Sequence, residues 1–157
     1  MNVPSPPEAG QGKILPPAWF FLAILVQLFG HFVVPIDEIV HWPWDVFGAA
    51  LIFAGFGLTV YADWQFKRAN TPVHPFERPV HLVTHGVFAF SRNPMYLGLT
   101  LALFGIAFVL GTVTPFLLPP LFAWLITVRF IRREEAILTA QFGETYQDYA
   151  RRVRRWL

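Results

Sequence analysis

Four apolar stretches dominate the sequence and limit the kind of fold that the chain can adopt. They occupy about residues 16–35, 46–62, 95–111 and 115–131. A helix needs about 20 mainly apolar residues to cross a bilayer, and roughly 17–25 are tolerated. Charged residues make up only 14% of the chain, whereas soluble domains carry about 25%. The pattern predicts an all-α integral membrane protein with about four transmembrane helices, and it excludes soluble nucleic-acid-binding classes.

The domain organisation follows from these stretches. The first is too long for the core of a signal peptide and no small-residue cleavage pattern follows it, so we expect a retained helix. The fourth reaches spanning length if its helix continues through Arg129. We expect residues 1–15, which are rich in Pro and Gly, to be flexible. Residues 16–157 are then a single transmembrane domain.

All basic residues fall on one side of this predicted topology. One of the 12 lies near the N-terminus, four lie in the loop 63–93, and seven lie from Arg129 onward. The connections 35–45 and 111–115 have none. Cytoplasmic loops carry an excess of Lys and Arg. The distribution therefore predicts cytoplasmic N- and C-termini, a cytoplasmic loop at 63–93 and a cytoplasmic tail at 132–157.

Glycines recur at a spacing of seven in two of the predicted spans. The pairs are Gly48 with Gly55, and Gly98 with Gly105. Small residues on one face let membrane helices approach closely. The spacing predicts close helix contacts, either within one chain or between the chains of an oligomer.

The tail carries a basic, amphipathic pattern after Gly143, which is expected to end or kink the fourth helix. Apolar and aromatic residues recur there at spacings of three or four: Phe142, Tyr146, Tyr149, Val153 and Trp156. This pattern predicts a C-terminal amphipathic helix. Its arginines, Arg151, Arg152, Arg154 and Arg155, are expected to contact anionic lipid head groups. Whether the tyrosines also face the protein stays open.

Polar residues concentrate at the cytoplasmic ends of the third and fourth spans. The connection at 112–115 is so short that these spans form a helical hairpin, which brings their cytoplasmic ends to one depth. That predicts a cluster of Arg92, Asn93, Tyr96, Arg129, Arg133, Glu134 and Glu135. Asn93 is placed to cap the third helix and Pro94 to begin it. The cluster suits binding of an anion and hydroxyl groups, or it is an interfacial network of salt bridges.

Metal and nucleotide signatures are weak or absent. His81 and His85 are four apart, but five histidines are too few for the several histidine boxes of a membrane di-iron enzyme. We therefore expect no metal site, and we interpret His85 as a loop residue or the polar wall of a pocket. No G-x-G-x-x-G, Walker or G-x-S-x-G motif is present, and no nucleic-acid partner is expected.

Three runs together resemble the isoprenylcysteine carboxyl methyltransferase-like family. They are LVTHGVFAFSRNPMYLG (82–98), RREEAIL (132–138) and FGETYQDYARRVRRWL (142–157). The family belongs to a wider group of small membrane methyltransferases that includes phospholipid methyltransferases, and the resemblance covers about residues 60–157. It implies methyl transfer from S-adenosylmethionine, held in a pocket at the cytoplasmic membrane face. Thr71, Val73 and Pro75 fit the bacterial branch, which implies a bacterial inner membrane.

Two motifs of that family can be matched residue by residue. Its Arg-His-Pro-x-Tyr motif matches Arg92, Asn93, Pro94 and Tyr96, and its Glu-Glu-x-x-Leu motif matches Glu134, Glu135 and Leu138. Asn93 stands where the better-known members have His. Asparagine caps a helix and donates hydrogen bonds, but it does not carry a proton.

The resemblance implies roles for these residues. Arg92 suits the cofactor carboxylate, Glu134 or Glu135 suits its hydroxyl, amino or sulfonium groups, and tyrosines suit the adenine. Gly86 suits close approach of the backbone. The cofactor-binding residues expected are His85, Gly86, Arg92, Asn93, Tyr96, Glu134, Glu135 and Tyr146. Arg92 and Glu135 are the expected catalytic residues.

The methyl acceptor is expected to be lipophilic and to enter from the bilayer. A carboxylate of an isoprenoid or a prenylcysteine-like compound is favoured, because it is already ionised and needs no base. An amine, thiol or hydroxyl acceptor would call on Glu135 or His85. The alternatives are a phospholipid or small-thiol methyltransferase, a non-catalytic lipid-binding or assembly protein, and a membrane reductase. An oligomer is compatible with all of them.

Overall fold

A computed structural model of the protein describes residues 15–69 and 81–157. The predicted flexible segment, apart from Leu15, and the positions Thr71, Val73 and Pro75 lie outside the described residues. Within these two ranges, six α-helices follow one another: α1 (Pro16–Val33), α2 (Trp44–Arg68), α3 (Pro94–Leu110), α4 (Leu118–Ile126), α5 (Arg132–Phe142) and α6 (Glu144–Arg152). Short 3₁₀ helices lie at Gly86–Ala89 and Thr114–Leu117, and a π-helical turn at Thr127–Ile131 joins α4 to α5. These two described ranges contain no β-strand, and the predicted all-α class is confirmed.

In the part of the chain that the structure describes, three helical stretches are long and apolar enough to cross a membrane. They are Pro16–Val33, Trp44–Arg68 and Thr114–Phe142. The remaining predicted span, α3, is an apolar helix of 17 residues, which is roughly 25 Å at 1.5 Å per residue against a hydrocarbon core of about 30 Å. The membrane class is thus supported by three helices, and the count of four stays a prediction.

Two helices extend further than the predicted spans. α2 continues to Arg68, so that residues 63–68, predicted in the loop, are helical. The extension carries an ion pair one turn apart, from Lys67 Nζ to Asp63 Oδ2 at 2.6 Å, and cations in its last turn favour a helix C-terminus. The stretch Thr114–Phe142, which contains the fourth predicted span, continues past Arg129. The sequence predicts this continuation, because the span needs it to reach sufficient length.

The glycine faces of α2 and α3 pack directly against each other. A Cβ atom on Gly55 would lie 2.4 Å from the carbonyl oxygen of Gly98, and one on Gly105 would lie 2.5 Å from the carbonyl oxygen of Gly48. Only glycine permits backbones to approach this closely. The sequence left open whether these faces serve contacts within or between chains; they form the contact between α2 and α3 of one chain.

Buried polar contacts tie α1 to the hairpin. The side chain of Gln27 is fully buried, and its Nε2 donates to the carbonyl oxygens of Leu103 at 3.0 Å and Pro115 at 3.1 Å. At the α3–α4 turn, Gly111 has φ +79° and its carbonyl oxygen accepts a hydrogen bond from the Ile39 backbone N–H at 2.9 Å. These contacts hold the hairpin, and therefore the starts of α3 and α5, in one place.

The chain turns at Gly143, where φ is +52°. As a result, α6 packs against the segment that leads into α3. Tyr146 and Tyr149 are buried, and the Tyr149 hydroxyl donates to the Phe88 carbonyl oxygen at 2.6 Å. The predicted amphipathic helix is therefore present, but its tyrosines face the protein. α6 ends at Arg152, so Val153 and Trp156 lie beyond the helix rather than on its stripe.

Candidate active site

A cavity of about 860 Å³ lies where α1, α2, α3 and α5 converge, and residues of α6 also line it. Six of the eight predicted cofactor-binding residues line it: Arg92, Asn93, Tyr96, Glu134, Glu135 and Tyr146. His81, Leu82 and Val83 also line the cavity, which places the end of the long loop beside these residues. The predicted convergence of the α3 and α5 starts is thus present in the structure.

His85 and Gly86 are not among the lining residues in the described part of the chain. Gly86 has φ +63°, and a Cβ atom there would lie 2.0 Å from Gln65 Nε2. Gln65 Oε1 accepts the Val87 backbone N–H at 3.2 Å, and Gln65 Nε2 donates to the His85 carbonyl oxygen at 3.4 Å. The close approach that the glycine permits is therefore made by Gln65, which holds the 3₁₀ helix against α2.

Glu135 is held by two arginines. Arg155 binds it through two parallel hydrogen bonds, Nε to Oε1 at 2.9 Å and Nη2 to Oε2 at 2.6 Å. Arg92 Nη1 lies 3.2 Å from Glu135 Oε1, and both side chains of this second pair are largely buried, at 14% and 16% exposed. Bidentate pairs of this kind are strong and orient both partners. Both carboxylate oxygens are therefore occupied by guanidinium donors.

Arg92 has a hydrogen-bond donor that no described residue accepts. Its Nη1 donates to the Tyr146 hydroxyl at 3.3 Å, but its buried Nε has no hydrogen-bond partner among the described residues. A buried donor without a partner costs about 1–3 kcal/mol.

Glu134 faces the cavity from the neighbouring position on α5. Its Oε1 accepts a hydrogen bond from the Tyr96 hydroxyl at 2.6 Å. The two residues are 38 apart in sequence and meet because the hairpin sets the starts of α3 and α5 at the same height. The cavity therefore presents a carboxylate, a phenol and an arginine within one wall.

Asn93 precedes α3 as predicted, but the expected cap is wrong. Within the described residues, its side chain makes no capping hydrogen bond to the first turn of α3. Its Nδ2 donates instead to the Arg155 carbonyl oxygen at 3.0 Å. The Asn93 side chain therefore leaves the first turn of α3 uncapped, and the positive end of the helix dipole lies beside the cavity.

The two tyrosines of α6 are neutral hydroxyl groups in this setting. Burial raises the pKa of Tyr146, and the nearby Glu135 carboxylate raises it further. Burial also raises the pKa of Tyr149. The hydrogen bonds to Glu135 raise the pKa of Arg155, so this guanidinium stays charged.

Three arginines are placed differently from the sequence prediction. Arg129 and Arg133, both expected in the cluster, are exposed and are not cavity-lining residues in the part of the chain that the structure describes. Arg155, expected at the lipid surface with its neighbours, points inward to Glu135. No local pattern separates Arg155 from the exposed Arg152 and Arg154, because only the turn after α6 determines which one faces inward.

Apolar residues from helices that the sequence did not associate with the site also line the cavity. Phe20 and Phe21 of α1, and Phe56 of α2, line it together with Leu99 of α3. The rings of Phe20 and Phe56 meet edge to face with centroids 5.8 Å apart. The cavity is thus lined both by charged side chains and by apolar side chains of membrane-spanning helices.

The family model described as phospholipid methyltransferase matches residues 44–145. The chain belongs to this family. The predicted relationship is confirmed, and the matched region of this phospholipid methyltransferase family member contains Arg92, Tyr96, Glu134 and Glu135. Tyr146 and Arg155 lie beyond the matched region.

Two curated proteins named protein-S-isoprenylcysteine O-methyltransferase are similar to the chain. One, from Schizosaccharomyces pombe, is 36% identical over 72 residues, which is 46% of this chain and 30% of that protein. The other, from Tribolium castaneum, is 36% identical over 74 residues, 46% of this chain and 26% of that protein. The matches thus span less than a third of either relative. No solved structure matches the chain significantly.

Proposed function

We propose that this phospholipid methyltransferase family member is a membrane-embedded enzyme that transfers a methyl group from S-adenosylmethionine to a lipophilic acceptor. One observation carries the proposal: a single cavity is lined both by paired Arg and Glu side chains and by apolar side chains of α1 and α2, among them Phe20, Phe21 and Phe56. A cofactor with several charges suits the charged side chains. An acceptor with a hydrocarbon chain suits the apolar side chains.

The residues present fit S-adenosylmethionine, which supplies a methyl group on a positively charged sulfur. Arg92, with its unpartnered buried Nε, and the uncapped start of α3 suit the cofactor carboxylate. Glu134 suits a positive ammonium or sulfonium group, and the rings of Tyr96 and Tyr146 suit adenine. The protein's own contribution is alignment of the reacting groups and exclusion of water.

The site favours an acceptor that needs no general base, because we assign Glu134 to the cofactor cation and the other candidate bases are unsuited. Both oxygens of Glu135 are bound by guanidinium groups, and we assign it a positioning role. His85 is exposed and outside the cavity lining among the described residues, and Asn93 does not carry a proton. A carboxylate acceptor is already ionised near neutral pH. We therefore propose the carboxylate of an isoprenoid or prenylcysteine-like compound, in keeping with the names of the two relatives.

The orientation proposed for the cavity follows the charge distribution. The charged lining residues lie on the side of the basic residues, which we place in the cytoplasm by the positive-inside rule. The cofactor would enter from that side, whereas the acceptor would enter from the bilayer. We propose a bacterial inner membrane as the location.

The deciding experiment uses purified protein in nanodiscs and S-adenosylmethionine with a tritiated methyl group. Two acceptors are compared: an S-prenylated cysteine with a free carboxylate, and an ethanolamine phospholipid. We expect label in the prenylated cysteine that alkali releases as methanol, because a methyl ester hydrolyses and an N-methyl group does not. Alkali-stable label in the phospholipid would replace the proposed acceptor. If the protein neither binds the cofactor nor transfers label into a membrane extract, the proposed methyltransferase activity is contradicted.

Replacing Glu134 with glutamine tests the proposed contact with the cofactor cation. The amide oxygen can still accept the Tyr96 hydroxyl, but the negative charge is lost. We expect affinity for S-adenosylmethionine to fall about tenfold, since an interaction with a charged group contributes about 1.5–3 kcal/mol. Affinity for S-adenosylhomocysteine, whose sulfur is neutral, should fall less. Calorimetry with both ligands measures the difference.

Glu144→Gln is the matched control, because Glu144 is exposed at the start of α6 and the change removes the same charge. We expect its affinities to match the wild type. Equal losses in Glu134→Gln and Glu144→Gln, or an unchanged Glu134→Gln, would contradict the assignment of Glu134.

A further inference from the structure

We propose that residues 153–157, which we call the clasp, hold Arg155 against Glu135, and that Arg155 is a positioning residue that keeps Arg92 available to an anionic ligand group. The inference rests on the proposed function and adds to it a residue beyond the region that the family model matches. Arg155 does not line the cavity in the described structure. It acts on the site through Glu135.

The clasp is bound to the start of α3 through its backbone. The Arg154 carbonyl oxygen accepts the Arg92 backbone N–H at 3.0 Å. The Arg155 carbonyl oxygen accepts Asn93 Nδ2 at 3.0 Å and the Ser91 hydroxyl at 3.4 Å. These partners are more than 60 residues apart in sequence, and they align the clasp with the segment that carries Arg92.

The other side of the clasp is held by apolar packing. The partly buried Trp156 packs against the core cluster that includes Phe20 and Leu103. Arg155 thus lies between a hydrogen-bonded residue and a packed aromatic residue. Its backbone position is determined independently of its own ion pair.

The Arg155 side chain takes the bidentate position on Glu135. Its two nitrogens meet the two carboxylate oxygens at 2.9 and 2.6 Å. Arg92 therefore reaches Glu135 with a single nitrogen, at 3.2 Å from Oε1. The remaining donors of Arg92, its buried Nε among them, are not committed to Glu135.

Removing Arg155 would change how the Glu135 carboxylate is shared between Arg155 and Arg92. Glu135 would then have Arg92 as its near guanidinium, and a carboxylate and a guanidinium favour two parallel hydrogen bonds. A bidentate pair between Arg92 and Glu135 would withdraw the Arg92 donors from the cavity. Removing the Glu135 charge as well would release them. Arg155 loss should therefore weaken ligand binding, and a second change at Glu135 should restore most of the lost affinity.

The experiment measures the dissociation constant for S-adenosylmethionine by calorimetry, with the full chain in nanodiscs. The variants are Arg155→Ala, Glu135→Gln and the double variant, with Arg152→Ala as control. Arg152 is exposed and carries the same charge on α6. Thermal unfolding of each variant establishes that it is folded. Arg155→Lys is included because lysine retains the charge without the planar fork.

We expect about tenfold weaker binding in Arg155→Ala, a smaller loss in Arg155→Lys, and recovery of most of the loss in the double variant. Arg152→Ala should bind as the wild type does. A purely structural role for Arg155 predicts that the double variant is no better than Arg155→Ala. That result, or wild-type affinity in Arg155→Ala, would overturn the inference.

Two further outcomes keep the proposals separable. If Arg155→Ala does not fold, Arg155→Lys with and without Glu135→Gln carries the same comparison, and recovery in the pair supports the positioning role. If the wild type itself does not bind S-adenosylmethionine, the proposed function is overturned and this inference with it. Wild-type binding with an unaffected Arg155→Ala overturns the positioning role alone.

Discussion

Replacing Gly55 with leucine is expected to prevent α2 from packing on α3 and to leave little folded protein. A Cβ atom at Gly55 would lie 2.4 Å from the Gly98 carbonyl oxygen and 2.7 Å from the Ala102 backbone nitrogen. Backbone atoms cannot rotate away as side chains do. Overpacking a core costs about 1–3 kcal/mol and occasionally more, and a backbone clash belongs at the upper end or above it. Thermal unfolding and size-exclusion chromatography in detergent measure the effect.

Gly57 provides the matched control on the same helix. No described atom lies within 4 Å of a Cβ placed there. Leucine suits a lipid-facing position, and glycine is about 0.8–1.0 kcal/mol worse than alanine in a helix interior. We expect Gly57→Leu to melt at or slightly above the wild-type temperature. Similar melting of Gly55→Leu and Gly57→Leu would mean that α2 and α3 do not approach through these glycines.

Replacing Arg92 with alanine is expected to weaken S-adenosylmethionine binding by roughly 10- to 150-fold. The change removes the guanidinium that we assign to the cofactor carboxylate. A hydrogen bond to a charged group contributes about 1.5–3 kcal/mol, and about 1.4 kcal/mol corresponds to a tenfold change in affinity. Because Arg155 continues to hold Glu135, the carboxylate is not left unpaired. Calorimetry on folded, detergent-solubilised protein measures the loss.

Two further variants make the Arg92 result specific. Arg92→Lys keeps the charge but loses the planar fork, so we expect an intermediate affinity. Arg132→Ala removes an exposed arginine at the start of α5 and should bind as the wild type does. An Arg92→Ala variant that is folded and binds within about twofold of wild type, well under the tenfold that 1.4 kcal/mol represents, would remove Arg92 from the cofactor site.

The candidate site was predictable where it depends on short connections. The hairpin follows from a turn of a few residues, and it brings Tyr96 against Glu134 at 2.6 Å because two helices joined by a short turn must run side by side. Separately, the family motifs identified Arg92 and Glu135 as candidate site residues. The apolar residues Phe20 and Phe56 were not predictable, because nothing in their local sequence distinguishes a cavity wall from a lipid-facing surface.

The choice of hydrogen-bond partners was not predictable from local rules. Asn93 has the residue type and position of a helix cap, but its amide donates to the Arg155 carbonyl oxygen. Arg155 has the surroundings of a lipid-facing arginine, yet it binds Glu135. In each case a distant group competes with the local or solvent partner, and the competition is decided by the fold.

The sequence by itself determined the class of the protein: apolar helices, basic residues predicted on one side, and the two motifs that place it in its family. These are properties of hydropathy, charge and short spacing. They can be identified without knowing which distant residues are in contact. Only the tertiary structure decided that Gly55 meets Gly98, that the clasp lies against the start of α3, and that Arg155 occupies the bidentate position on Glu135. Those outcomes depend on which residues, often far apart in the chain, are brought within hydrogen-bond or van der Waals distance, and such distances are set by helix packing rather than by local sequence.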